Sequence, residues 1–292
     1  MAYAKQTVAV GGGELAVGVW GETGPLVVAV HGITSNHLAW TLVGEDLGRD
    51  HRFVAVDLRG RGDSRDLPGP YGMARHAEDV AAVIEAFGGG PIVLAGQSMG
   101  GWVTVETAHR RPDLVERLVL VDGGAPLPLP DGVPARASEA DLRSAVEQTV
   151  GTAFARLTMT FPDVESAVSL WRGHPALTEW TPLLQAYAEY DVTPAGDGVA
   201  TKAVLAAAVR DAQELYALAG TEPRALPVPG VFLRAEFGML GGLPAMYAPG
   251  DATHWLPGVA ESTIDDVNHY TVLMGERGAK AVIAAIRGAA AA

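Results

Sequence analysis

Four short runs of continuous apolar residues limit what this chain can fold into more than any other feature of its sequence. The runs consist mainly of valine, leucine, isoleucine and alanine, and they lie at residues 26–30, 53–56, 92–95 and 118–121. A strand that is buried on both faces of a parallel sheet has this composition, because helices cover both of its faces. Stretches of helical periodicity, such as residues 71–87, lie between the runs. This alternation predicts an α/β protein built on a doubly wound, mostly parallel sheet.

The pattern changes after Asp122, where residues 123–134 are rich in glycine and proline. Residues 138–220 contain helical stretches and no run typical of a buried strand, and a strand pattern returns at residues 230–235. We therefore predict that a helical insertion interrupts the sheet. The predicted parts are a first core segment at 1–125, a helical cap at 126–225 and a second core segment at 226–292.

The composition excludes several classes of protein. Of the 292 residues, 48% are hydrophobic and 19% are charged, which gives enough apolar surface to offset the chain entropy lost on folding. The net charge of −13 disfavours binding to nucleic-acid phosphates and to anionic membrane surfaces. Because the chain has no cysteine, disulfides, thiolate nucleophiles and cysteine-ligated metals are excluded.

The sequence favours a cytoplasmic protein with a small-molecule substrate. No apolar stretch approaches the roughly 20 residues of a membrane span, and the first residues lack the apolar run of a signal peptide. No spacing of histidines and carboxylates is typical of a metal site, so we expect no metal and no other cofactor. The composition is compatible with a monomer or a homodimer.

The strongest chemical signal is a serine in a glycine-rich turn. Residues 96–100 read Gly-Gln-Ser-Met-Gly, directly after the predicted strand at 92–95 and at the start of a predicted helix. A serine on such a sharp strand-to-helix turn is held clear of the sheet, and the flanking glycines let the two elements approach closely. The motif therefore predicts that Ser98 is a nucleophile.

Three motifs together resemble those of the α/β-hydrolase superfamily. They are the His-Gly pair at 31–32, the sequence Asp-Leu-Arg-Gly-Arg-Gly-Asp-Ser at 57–64, and the turn around Ser98. The resemblance is dense over residues 7–125 and looser over 226–292. It implies the α/β-hydrolase fold, with about eight strands and a helical cap after the sixth strand.

The resemblance also implies a histidine base just after the last strand. His269 lies at such a position, and an imidazole is suited to this task because its ordinary pKa is near neutrality. His254 is a rival, but it precedes the predicted last strand instead of following it.

Two carboxylates compete as the acid that orients the histidine. Asp122 ends the predicted strand at 118–121 and would emerge beside Ser98 at the carboxyl edge of the sheet. Glu236 lies in the loop after the strand at 230–235, which is the more common place for the acid in the superfamily. We favour Asp122 and keep Glu236 as the alternative.

Backbone N–H groups are expected to stabilise the oxyanion that forms when Ser98 attacks a carbonyl. Met99 follows the nucleophile directly, and Ile33 follows the His-Gly pair, as in superfamily members with such a turn. The substrate-pocket candidates lie near these turns or in the cap and are His37, Trp40, Trp102, Trp171, Trp180 and Tyr187.

These predictions favour a serine hydrolase that cleaves a carboxylic ester or lactone of a small, fairly apolar molecule through an acyl-enzyme. Two alternatives stay open. The same residues could hydrolyse a C–C bond in a β-diketone-like substrate or a thioester, or the cleft could bind a ligand without turnover.

Overall fold

The computed structural model describes residues 3–127, 154–217 and 222–288. The strands are β1 (Tyr3–Val10), β2 (Gly13–Trp20), β3 (Leu26–Val30), β4 (Arg52–Val56), β5 (Ile92–Gln97), β6 (Val115–Val121), β7 (Thr160–Phe161), β8 (Val192–Ala195), β9 (Gly198–Thr201), β10 (Gly230–Ala235) and β11 (Ala260–Ile264). The helices are α1 (Thr41–Leu47), α2 (Met73–Ala86), α3 (Met99–Arg110), α4 (Val164–Arg172), α5 (Pro182–Tyr190), α6 (Leu205–Ala217), α7 (Asp251–Trp255), α8 (Thr271–Met274) and α9 (Glu276–Ile286).

Eight strands form one large sheet in the order β1-β2-β4-β3-β5-β6-β10-β11. β1 pairs antiparallel with β2, and β2 pairs antiparallel with β4, whereas the strands from β4 to β11 in this order run parallel. The prediction of a mostly parallel sheet of about eight strands is confirmed. The order puts β5 near the middle, so that the residues following β3, β5, β6 and β10 meet at one edge of the sheet.

Burial on both faces explains the continuous apolar runs. Along β3, Val28 packs into the hydrophobic core on one face of the sheet, while Val27 and Ala29 pack into the core on the other face. Leu94 and Ala95 of β5 face the same two cores in turn. A polar side chain at any of these positions would lie in one of the two cores, so apolar and polar residues do not alternate along these strands.

The described part of the insertion contains α4, α5 and α6 together with a small antiparallel sheet in the order β7-β9-β8. The predicted helical stretches are thus accompanied by a small sheet that the sequence analysis did not predict. The three strands have only two to four residues, too few for a period-two pattern to appear in the sequence.

A buried ionic cluster fixes the cap to the core. Asp211 on α6 contacts the Arg61 guanidinium at 2.6 Å and His76 Nε2 at 2.9 Å, and all three side chains are buried. Burial opposes ionisation of Asp211, but the positive charge of Arg61 and the contact with His76 outweigh it and lower its pKa. Within the described ranges, no helix is long and apolar enough to cross a membrane.

Candidate active site

Ser98 lies on a sharp turn between β5 and α3 in a sparsely populated backbone conformation, with φ 54° and ψ −127°. Such a conformation costs of order 1–3 kcal/mol, so the surroundings must enforce it. Two glycines make the turn possible: a Cβ on Gly100 would lie 2.2 Å from the Val30 carbonyl oxygen, and one on Gly123 would lie 2.1 Å from the Ser98 carbonyl oxygen. The Ser98 hydroxyl therefore reaches a cleft above the carboxyl edge of the sheet.

His269 and Asp122 form a hydrogen-bonded pair beside this turn. Asp122, fully buried at the end of β6, accepts a hydrogen bond from His269 Nδ1 at 2.7 Å through Oδ2. Its other oxygen accepts one from the Ala235 N–H at 3.1 Å. Because a carboxylate only accepts, Nδ1 carries the proton and the lone pair of the ring lies on Nε2. This is the tautomer that a general base requires.

Glu236, the alternative acid, lies elsewhere. Its carboxylate accepts a hydrogen bond from the Asp266 N–H at 2.8 Å, and it makes no hydrogen bond with His269. The rival histidine, His254, lies on α7 with its ring centroid 4.9 Å from that of Trp255, and it does not line the cleft that holds Ser98.

Gln97 is a residue of the site that the sequence analysis missed. Its side-chain nitrogen lies 3.2 Å from His269 Nε2 and 3.1 Å from the His269 carbonyl oxygen. A carbonyl oxygen only accepts, so the amide NH₂ group faces His269 and donates to both atoms. Between the two described residues Ser98 and His269 there is no hydrogen bond, and Gln97 occupies the imidazole lone pair. In the sequence, the one feature that pointed to Gln97 was its position directly before Ser98.

Two backbone N–H groups are available next to Ser98. Ile33 lines the cleft with Ser98, and Met99 is the first residue of α3, where a helical N–H has no intrahelical partner. Neither N–H donates to any acceptor within the described part of the chain. A Cβ on Gly32 would lie 3.5 Å from Ser98 Oγ, so the turn that carries Ile33 is directly adjacent to the nucleophile.

His31 supports this turn from inside the protein. Its Nδ1 donates to the Gly32 carbonyl oxygen at 2.7 Å, and its Nε2 accepts from the Leu58 N–H at 3.0 Å. Complete burial lowers the pKa of His31 to about 4, so the ring is neutral at physiological pH. It is therefore a structural hydrogen-bonding group.

The cleft is small and mostly apolar. Its volume is about 60 Å³, well below the several hundred Å³ typical of ligand pockets. Of the predicted pocket residues, Trp171 and Tyr187 line it. The other side chains around it that the sequence did not single out are Thr34, Ser35, Ala39, Met239, Tyr270, Leu273 and Met274.

His37 does not line the cleft, which corrects its assignment to the pocket. Its Nδ1 is 2.9 Å from the Asp57 carboxylate and its Nε2 is 2.6 Å from the Tyr3 hydroxyl, and the ring is fully buried. The carboxylate of Asp57 satisfies the imidazole inside the core and so directs it away from the cleft.

Three of the tryptophans also lie outside the cleft lining, contrary to prediction. Trp40 and Trp102 are buried in the cores on opposite faces of the sheet, because their elements present them to the sheet. Trp180 donates from Nε1 to Gln185 at 2.9 Å and has the Arg172 guanidinium 5.3 Å from its ring centroid. It is partly buried and packs against the core, outside the described lining of the cleft.

Comparison with known proteins identifies the family and the fold. Residues 25–167 match the family model described as alpha/beta hydrolase fold. A 2-(acetamidomethylene)succinate hydrolase from Mesorhizobium japonicum is 35% identical over 100 residues, which cover 34% of this chain and 36% of that protein. Lipase LipV from Mycobacterium tuberculosis is 34% identical over 110 residues, which cover 37% of this chain and 41% of that protein.

A solved structure is similar over nearly the whole length. E-2-(acetamidomethylene)succinate hydrolase superposes with a TM-score of 0.77 at 25% identity, covering 99% of this chain and 100% of that chain. By sequence, in contrast, the chain spans only 30% to 41% of the length of the curated relatives it matches. The range matched by the family model, residues 25–167, includes the turn at Ser98.

Proposed function

The chain belongs to the α/β-hydrolase family, and on that premise we propose that it is a serine hydrolase acting on a carboxylic ester or lactone of a small, apolar molecule. The single observation that carries the proposal is the buried Asp122–His269 pair, whose histidine lines the same cleft as Ser98. An imidazole oriented by a carboxylate next to a serine on a strained turn is the arrangement that accepts the hydroxyl proton in serine hydrolases.

The proposed reaction begins when a substrate carbonyl enters the cleft and Ser98 Oγ attacks its carbon. His269 Nε2 takes the hydroxyl proton, and the Ile33 and Met99 N–H groups donate to the oxyanion. When the tetrahedral intermediate collapses, the bond to the leaving oxygen breaks and His269 gives its proton to that oxygen. Water then attacks the acyl-enzyme with His269 as base again, which releases the acid and restores Ser98.

The cleft lining favours a neutral, apolar substrate. Trp171, Met239 and Met274 provide apolar surface, and the described lining includes no lysine or arginine. A substrate carboxylate would be desolvated there without a cationic partner, which is costly. The succinate-derived substrates in the names of two relatives carry carboxylates, so we expect this chain to prefer uncharged esters or lactones.

The proposal is tested by reaction with a fluorophosphonate and by turnover of a neutral substrate panel. Mass spectrometry of the wild-type adduct should locate the label on Ser98, and the Ser98→Ala variant should remain unlabelled. The panel contains short-chain esters, lactones, thioesters and β-diketones, and we expect esters or lactones to be cleaved fastest. Absence of label on Ser98 refutes the mechanism, whereas labelling without turnover of any member supports a ligand-binding role.

A further inference from the structure

A second cavity lies next to the cleft, on the other side of α8. It is a groove of about 680 Å³ between the cap segment that leads into α5 and the chain that follows β11. We refer to it as the α8 groove, and its apolar wall consists of Leu42, Leu177, Leu183, Phe237, Val267 and Met274. Its volume is within the range typical of small-molecule sites, whereas the cleft around Ser98 measures about 60 Å³.

Met274, the last residue of α8, separates the two cavities. Its side chain belongs to the wall of the cleft and to the wall of the α8 groove, and it is 8% exposed. A methionine side chain is unbranched and has three rotatable bonds, so it can change rotamer at little cost. Met274 is therefore the side chain whose rotamer connects the wall of the small cleft with the wall of the large groove.

The position of the groove indicates which part of a substrate it would receive. Asn268 lines the groove, His269 lines the cleft, and α8 begins at Thr271, so the groove borders the histidine side of the cleft. In the proposed reaction His269 protonates the leaving oxygen, so the alcohol part of an ester must lie on this same side. The acyl part stays with Ser98 and the oxyanion donors.

The distribution of charge in the groove selects an apolar chain. Val267 and Leu177 are buried in its wall near Met274, whereas the charged residues of the lining are exposed at its outer edge. Those charged residues are Glu179, Asp266, Glu276 and Arg277. An aliphatic group that enters past Met274 thus meets apolar surface first and solvent last.

We propose that the α8 groove binds the aliphatic alcohol group of the ester substrate and that Met274 controls access to it from the cleft. This inference rests on the proposed function, since it assigns a site to one half of the same substrate. The substrates are then esters that join a medium-length apolar alcohol to a small acyl group.

The test compares the wild type with Met274→Ala on two ester series. One series contains acetates from ethyl to octyl acetate, and the other contains ethyl esters from acetate to octanoate. Each methylene that becomes fully buried improves kcat/KM by about fourfold. We expect Met274→Ala to raise the octyl acetate to ethyl acetate ratio of kcat/KM by about 15-fold, equivalent to roughly two buried methylenes. The ratio for the acyl series should stay within about twofold of wild type.

Two further variants separate access through Met274 from a general enlargement of the cleft. Leu273 lines the cleft and is not part of the described lining of the groove, so Leu273→Ala should leave the alcohol ratio unchanged. Adding Leu183→Trp to Met274→Ala narrows the groove and should reduce the gain. A gain in the acyl series, no gain in the alcohol series, or the same gain in Leu273→Ala overturns the proposal.

A measurement without turnover keeps this result distinct from failure of the proposed function. Binding of octan-1-ol, followed by NMR of methyl groups, should shift the resonances of Met274 and Leu183. If octan-1-ol binds elsewhere or not at all, the assignment of the groove is wrong even if the esters are hydrolysed. If it binds there and no ester is cleaved, the proposed function is wrong, and the groove is a binding site for aliphatic alcohols alone.

Discussion

Replacing Asp122 with asparagine tests the geometry of the site most directly. The Ala235 N–H donates to Asp122 Oδ1, and His269 Nδ1 donates to Oδ2. In the variant, the amide oxygen satisfies the Ala235 N–H and the amide NH₂ is then left facing Nδ1. Two donors cannot bond to each other, so the imidazole adopts the opposite tautomer and places its proton on Nε2. In that form it cannot accept a proton from Ser98.

The size of the effect follows from the two interactions that the reactive tautomer loses. The charge-assisted bond between Asp122 and His269 contributes about 1.5–3 kcal/mol, and an unsatisfied donor in a fully buried position costs about 1–3 kcal/mol. Together they amount to about 3–6 kcal/mol, which corresponds to a 10²- to 10⁴-fold decrease in kcat at about 1.4 kcal/mol per factor of ten.

The assay measures kcat and KM of Asp122→Asn on the ester that the wild type cleaves fastest, with Glu236→Gln as the matched control. Glutamine at 236 keeps a carbonyl oxygen that can accept from the Asp266 N–H, so kcat should change by less than about threefold. Thermal unfolding of both variants shows whether a loss of activity reflects loss of fold. A folded Asp122→Asn enzyme that retains more than about a tenth of wild-type kcat would falsify the assignment.

Three further predictions follow from the same geometry. Gln97→Leu removes the N–H that competes with the Ser98 hydroxyl for His269 Nε2, so a fluorophosphonate should label Ser98 about two- to tenfold faster. Slower labelling would mean that the Gln97 amide positions His269 instead. In the folded protein His31 takes up a proton only near its pKa of about 4, whereas in the unfolded chain it does so below about 6.5. The free energy of unfolding should therefore fall by roughly 3 kcal/mol as the pH decreases from about 6.5 to about 4. Chemical denaturation should reveal this slope, and His31→Gln should reduce it. Gly123→Ala, whose Cβ would lie 2.1 Å from the Ser98 carbonyl oxygen, should lower Tm and abolish labelling. Gly242→Ala should do neither, because its Cβ would meet no atom of the other described residues within 4 Å beyond its chain neighbours.

Much of the fold could be predicted because its signals are local. The apolar runs of β3, β4, β5 and β6 reflect burial on both faces, a condition that every residue of such a strand experiences separately. The nucleophile turn is equally local, since the positions of the glycines around Ser98 are set by contacts within a few residues or with the adjacent strand. The short strands of the cap left no such pattern.

The arrangement of side chains around the cleft depends on contacts between distant parts of the chain. His37 lies close in sequence to the oxyanion turn, yet Asp57 and Tyr3 hold it in the core. Trp171 and Trp180 lie nine positions apart in the same cap, and only the former lines the cleft. The sequence contains no local signal for these differences, because each depends on which surface packs against the helix.

By itself, the sequence determined the parallel sheet, the strained turn at Ser98 and the short list of groups able to act with it, since backbone conformation and burial follow from residue types at short spacing. Only the tertiary structure decided that His269 contacts Asp122 and not Glu236, that Gln97 occupies the imidazole lone pair, and that Met274 separates a small cleft from a larger groove. The physical reason is that hydrogen bonds and cavities depend on distances of a few ångströms between segments more than 100 residues apart.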